Sequence, residues 1–147
     1  MSNIFVHVQS DDENNLEYFP NNTSYNFKVH LTEPLTLTGV WKIALCDIFK
    51  KENSKQTNYA NQLYIFCNIA GVSILSGKQQ SSLMRAVSPR KKGEWIESFW
   101  QLYYIDVNKS QVFDFEIYIT DRSFKLATFL KKPVSITLHF RQYPFLL

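Results

Sequence analysis

Ser24-Tyr25-Asn26-Phe27-Lys28-Val29-His30-Leu31 is the stretch on which the fold turns. Tyr25, Phe27, Val29 and Leu31 alternate with Ser24, Asn26, Lys28 and His30, and a period of two with one apolar face marks a strand that packs on one side only. The same period returns downstream. Phe113, Phe115, Ile117 and Ile119 oppose Asp114, Glu116, Tyr118 and Thr120; Val134, Ile136, Leu138 and Phe140 oppose Ser135, Thr137, His139 and Arg141; Trp41, Ile43 and Leu45 oppose Val40, Lys42 and Ala44. Leu63-Tyr64-Ile65-Phe66 and Ile4-Phe5-Val6 are apolar on both faces, as strands covered by another layer are.

This pattern predicts eight strands, over 3–9, 24–31, 40–49, 62–69, 81–88, 99–107, 112–120 and 133–142. Nothing keeps a helical period over three turns, and 123–130 fits a short helix or a loop equally. Pro20-Asn21-Asn22 suits a turn, because proline presets φ and asparagine tolerates the left-handed region. Glu33-Pro34 reads as a second turn, and Gly39 relaxes the backbone before the third strand. Eight strands in one domain over 1–147 predict an all-β fold, a closed barrel or a two-sheet antiparallel sandwich. The eight-stranded jelly roll is one such sandwich, and pattern alone does not choose it.

The linkers differ in charge. The first, 11–22, is acidic, with Asp11, Asp12, Glu13 and Glu17; 50–61 and 89–98 are basic, with Lys50, Lys51, Lys55 and then Arg90-Lys91-Lys92. Three adjacent cations release few counterions, so the run is a weak nucleic-acid signal, and the net charge of +3 adds little to it. It reads as a solvated loop, or as a contact with nucleic acid or with an acidic rim such as Asp11–Glu17 on a neighbouring subunit. No apolar run is long enough to span a membrane, and Met1-Ser2-Asn3 does not open a secretory signal. Cys46 and Cys67 are expected as free thiols inside strands.

Candidates for chemistry are sparse. His7, His30 and His139 sit on three separate strands without metal-ligand spacing. There is no nucleophile elbow, and the four glycines form no phosphate cradle. Asp114 and Glu116 share one strand face, a spacing open to a glycosidase pair but far commoner as a solvated acidic face. No catalytic, metal-binding or cofactor-binding residue is assigned.

The order Tyr18-Phe19-Pro20-Asn21-Asn22-Thr23, Phe27, Leu31, Pro34, Leu37, Gly39 and Trp41, closed by Ile136-Thr137-Leu138-His139-Phe140-Arg141, resembles the penton-type minor capsid proteins of Polinton-like elements and related eukaryotic DNA viruses. The resemblance implies a single jelly roll with no enzymatic role, five copies of which form the vertex of an icosahedral virion. It further implies contact with a double jelly-roll major capsid protein, a vertex fibre or spike as a further partner, and assembly in the host nucleus after synthesis in the cytoplasm. Lys28, His30, His139 and Arg141 on polar strand faces are the expected subunit contacts. They are joined by the apolar end Tyr143, Phe145, Leu146 and Leu147, which either tucks onto its own sandwich or docks on a neighbour. A rival reading is a carbohydrate- or ligand-binding sandwich, for which solvent-facing aromatics such as Trp100 or Tyr103 would speak.

Overall fold

The computed structural model describes residues 3–50, 62–75, 78–81, 83–88 and 95–143. Along the chain run β1 (Asn3–Gln9), α1 (Glu13–Tyr18), β2 (Asn26–Thr36), β3 (Val40–Lys50), β4 (Leu63–Cys67), β5 (Val72–Leu75), β6 (Lys78–Ser81), β7 (Leu83–Val87), β8 (Trp95–Ser98), β9 (Ile105–Asp106), β10 (Gln111–Thr120) and β11 (Val134–Tyr143). They build two antiparallel sheets. One has the order β1-β11-β3-β8, with β9 also on β3; the other has the order β2-β10-β4-β7. Leaving aside the β5-β6 hairpin and taking β8 and β9 as one broken strand, the orders become 1-8-3-6 and 2-7-4-5. Every connection except β4 to β7 then crosses between sheets, which is the double Greek-key wrap of a jelly roll.

The core lies where the two alternating faces meet. Val8, Trp41, Ile43, Leu45, Ile48, Val134, Ile136, Leu138 and Phe140 face Phe27, Val29, Leu63, Ile65, Val112, Phe115, Ile117 and Ile119, all buried. Trp41 is the large anchor expected of it, and its Nε1–H donates to the Thr38 carbonyl at 2.9 Å. Gly39 before it has φ 93°, the left-handed region that a side chain opposes.

Irregularities on β3 and β2 reset the alternation, and a third register shift falls between Ile65 and Phe66 opposite β7. On β3, Leu45 pairs with Leu138 and Asp47 with Thr137, so Cys46 is an extra residue at a bulge. Ile48 and Lys50 therefore become the buried phase, and Phe49 does not. On β2, His30 pairs with Asp114 but Leu35 with Val112, so Leu31–Pro34 bow out of the ladder opposite Phe113. Pro34, which has no N–H to donate, sits in this bow. The expected turn at Glu33-Pro34 is thus an interruption inside one strand. Phe113, expected in the core, is 52% exposed while Val112 takes its place.

Two further expectations change, and one open choice is decided. The expected 99–107 strand is present only as Ile105–Asp106 after an irregular stretch, and β8 (Trp95–Ser98) lies within the segment read as the linker 89–98. The linker 11–22 contains α1, and the stretch between the fourth and fifth expected strands contains the β5-β6 hairpin. The segment 123–130 is a loop, in which Phe124 takes φ 62° while the Asp121 carboxylate accepts the Ser123 and Lys125 N–H groups at 2.8 and 3.2 Å. The left-handed residue of this turn is therefore a phenylalanine, its ring stacked on Tyr64 at 5.3 Å.

Candidate interaction surfaces

Lys28 and His30 lie on the outer face of the β2-β10-β4-β7 sheet; His139 and Arg141 lie on the outer face of the other sheet. The four expected contacts are therefore two separate sites on opposite faces. Phe145, Leu146 and Leu147 lie outside the described residues, as do Arg90, Lys91 and Lys92.

The first site is organised by the acidic linker. Asp12 caps α1, its carboxylate accepting the Asn14 and Asn15 N–H groups at 2.9 and 3.3 Å. This sets Asn15 so that its Oδ1 accepts the His30 N–H at 2.9 Å. Tyr18 stacks on the His30 ring at 3.8 Å, and His30 Nδ1 meets the Asp114 carboxylate at 2.7 Å. Asn22 acts as a one-residue extra strand: its Oδ1 accepts the Lys28 N–H at 2.8 Å and its Nδ2 donates to the Lys28 carbonyl at 2.9 Å. Lys28 faces Glu116 across the ladder, and opposite charges so placed stabilise the pair. The two carboxylates thus each have a basic cross-strand neighbour. An open groove of about 400 Å³ runs between Phe19, Asn22, Lys28 and Glu116.

The second site is closed around a histidine. His139 is 7% exposed although it points away from the core. Phe5 stacks on its ring at 4.4 Å, 8° from parallel, and Tyr104 meets it edge-on at 5.6 Å. Its Nδ1 accepts the Tyr104 hydroxyl at 2.8 Å and its Nε2–H donates to Asn3 Oδ1 at 2.9 Å. One accepting and one donating nitrogen is the inventory of a neutral imidazole. Burial, and secondarily the Arg141 charge, hold its pKa below the ordinary histidine value. Ala44, cross-strand from His139, carries only a methyl on β3 and leaves Tyr104 room to reach over. Arg141 and Lys42 lie over the Tyr143 ring at 5.4 and 5.0 Å. His139 is consequently a structural pin, and Phe5, Arg141 and Tyr143 are the accessible residues around it.

A third surface escaped the sequence reading as a site, although its aromatics had been singled out. Along the β7/β8 edge the Arg85 guanidinium lies 3.7 Å from the Phe99 ring and 4.1 Å from the Tyr103 ring, and its Nη1–H donates to the Gln101 carbonyl at 2.8 Å. This clamp joins the edges of the two sheets. Phe99 N–H is pinned to the Cys46 carbonyl at 2.9 Å. Between these two anchors stands Trp100, 99% exposed, with Ile96 at 63% and Tyr103 at 53%. A single arginine on a strand that faces two aromatics is the only hint of the clamp in the sequence.

Among the described residues no three histidine, cysteine, aspartate or glutamate side chains gather as a metal site. Both cysteines are free thiols. Burial pushes Cys67 up to about 12, and partial burial with the Asp47 charge raises Cys46. A thiol reagent at pH 8 is expected to modify Cys46 slowly and Cys67 only on unfolding in urea, since the thiolate is the reactive species. Equal rates for both in native protein, measured by mass spectrometry, would contradict the packing of β4.

The fold defines a small sandwich of two antiparallel sheets with the strand order of a jelly roll. No protein-family model, curated protein or solved structure matches the chain. No helix among the described residues is long and apolar enough to cross a membrane.

Proposed function

We propose that this chain is a structural minor capsid protein of the penton type, five copies of which close the vertex of an icosahedral shell against a double jelly-roll major capsid protein. One observation carries the reading: the two opposite edges of the sandwich differ and are both unfinished. The β7/β8 edge presents Ile96, Trp100 and Tyr103; on the opposite side the edge strand β1 presents Phe5 at 66% exposure on the outer face of its sheet, and Tyr18 lies on the outer face of the other sheet. The chain segments that follow these edges differ in charge in the sequence. Asp11, Glu13 and Glu17 are exposed where β1 crosses to β2, whereas the sequence joining β7 to β8 carries Arg90-Lys91-Lys92. Unlike surfaces on opposite sides of one subunit are what a head-to-tail ring requires, and such a ring closes when the rotation per subunit is right. Opposite charge across the repeated contact speeds encounter and sets register.

A second reading, glycan binding on solvent-facing aromatics, draws on the exposure of Trp100 and Tyr103. Light scattering followed by negative-stain imaging separates the two. Five-membered rings of the 17.3 kDa chain, about 86 kDa in all by ring closure, are the expected result. A monomer that binds oligosaccharides on a glycan array would replace the capsid reading with the second.

A further inference from the structure

We infer that the free edge of β1 takes up the β1 strand of a second copy, antiparallel and centred on Val6, so that the β1-β11-β3-β8 sheet continues from one chain into the next. The inference goes beyond the ring reading and does not rest on it.

Each sheet leaves an N-terminal strand at one edge, β1 in one and β2 in the other. An edge strand turns the N–H and C=O of every second residue away from its sheet. On β2 the Ile119 N–H donates to the Tyr25 carbonyl at 2.8 Å, so Tyr25, Phe27 and Val29 bond β10 while Asn26, Lys28 and His30 face outward. Those outward groups are already taken. The Thr23 hydroxyl accepts the Asn26 N–H at 3.0 Å, and the Thr23 N–H donates to the Asn26 carbonyl at 2.9 Å. Asn22 bonds both backbone groups of Lys28, and Asn15 takes the His30 N–H. Asn15, Asn22 and Thr23 thus imitate a neighbouring strand, and the β2 edge is closed to another chain.

The β1 edge has no such cover. The Ser10 N–H donates to the Val134 carbonyl at 2.9 Å, and the register runs unbroken from there. Ile4, Val6 and Val8 therefore bond β11, while Asn3, Phe5, His7 and Gln9 turn outward. The Gln9 carbonyl accepts from the Asp12 N–H at 3.3 Å. Among the described residues nothing bonds the outward backbone groups of Asn3, Phe5 and His7. Natural edges are blunted by charge, proline or a bulge. Asn3-Ile4-Phe5-Val6-His7-Val8-Gln9 contains no Asp, Glu, Lys, Arg or Pro, and its ladder has no register shift.

The occupant follows from the strand itself. Centred on Val6, an antiparallel copy sets Phe5 of one chain against His7 of the other. Both are outward-facing positions, so their free backbone groups bond each other in both directions. On the inner face Ile4 meets Val8 and Val6 meets Val6. Ile4 and Val6 are only half-buried in the single chain and pack against its core, so the second copy extends apolar cover over them. On the outer face the Phe5 ring meets the His7 imidazole, and Asn3 meets Gln9. No like charges oppose one another in this register. The far edge of the same sheet, β8, is a poorer match, with four residues that include Glu97.

The test follows the sedimentation mass of the full chain against concentration, with amide hydrogen exchange read residue by residue and circular dichroism to verify folding. The wild-type mass is expected at least to double as concentration rises, whether the unit that pairs is one chain or a five-membered ring. The Phe5 and His7 N–H groups gain protection in the larger species, whereas Val6 and Val8, bonded to β11 throughout, are protected from the start. Two variants address the edge. His7→Pro removes an N–H that β11 does not use and sets the proline ring against an incoming strand. His7→Lys places a charge on the edge and leaves the backbone unchanged. Each is expected to move the doubling to about tenfold higher concentration or beyond. A wild-type mass that does not change with concentration would overturn the inference. So would a doubling that both variants leave in place, or Phe5 and His7 amides that stay unprotected in the larger species. New protection of Lys28 and His30 instead would move the contact to β2 and overturn it as well. The ring reading is judged separately, on whether the smallest wild-type species holds five chains or one.

Discussion

Phe115→Ala is expected to lower the unfolding free energy by about 3–5 kcal/mol, the range for deleting a buried phenylalanine side chain. Phe115 is 1% exposed, pairs with Val29 across β2, and sits in the apolar layer between the sheets. The space it leaves is walled by two hydrogen-bonded ladders that cannot move together without breaking register, so collapse around it is limited and the full cavity cost is felt. Phe113→Ala, two residues away on the same strand, is the control. Phe113 is half in water at the β2 bow, and its loss is expected to cost about 0.5 kcal/mol or less, as surface substitutions do. Urea denaturation of both variants, followed by tryptophan fluorescence, reads the contrast. Similar costs for the two would mean that the alternation runs unbroken through 112–115 and that the bulge is wrong.

His139→Ala carries the second large effect and a pH signature. It removes the stack with Phe5, the acceptor for the Tyr104 hydroxyl and the donor to Asn3, for a loss of about 2–4 kcal/mol near neutral pH when an aromatic pair and two part-buried hydrogen bonds go together. In the folded chain His139 titrates below its ordinary value, whereas in the unfolded chain it titrates at that value. Between the two the unfolded state binds the extra proton, so stability rises with pH there. The contribution of His139 is therefore full above about pH 6.5 and declines as pH falls through the ordinary histidine value toward the folded one. Denaturation at pH 8 and at pH 5 should find the wild-type advantage over His139→Ala smaller at pH 5. An advantage that is equal or larger at pH 5 would place a protonated imidazole in the folded state, contrary to the arrangement of Tyr104 and Asn3.

Phe113 and His139 also mark the limits of reading this chain from its residues. Alternation assigned Phe113 inward and His139 outward, and each assignment assumed an uninterrupted pleat and an uncovered outer face. Both bulges break the pleat through pairing with a distant strand, at Cys46 opposite β11 and at Leu31–Pro34 opposite β10; neither Cys46 nor Phe113 carries a local mark of this. The outer face at His139 is covered because Tyr104, 35 residues earlier in the chain, reaches over Ala44. The expected contact residues Lys28, His30, His139 and Arg141 share a polar phase, but phase says only that a residue faces away from its own sheet. Which of two sheets it belongs to is settled by strand order, and strand order is long-range.

Local chemistry by itself determined the all-β class, the anchoring of the core on Trp41 and on the strands around Phe27, Phe115 and Phe140, the turn at Pro20-Asn21-Asn22 and the positive-φ glycine at 39. These depend on side-chain period and on the backbone freedom of single residues, which act over a few positions. The tertiary structure alone decided the jelly-roll order, the division of the polar residues between two opposite faces, the burial of His139 and the clamp that holds Trp100 out into solvent. Each of these arises where segments far apart in the chain pair or cover one another, and a pairing of that kind is set by the whole packed sandwich rather than by either segment.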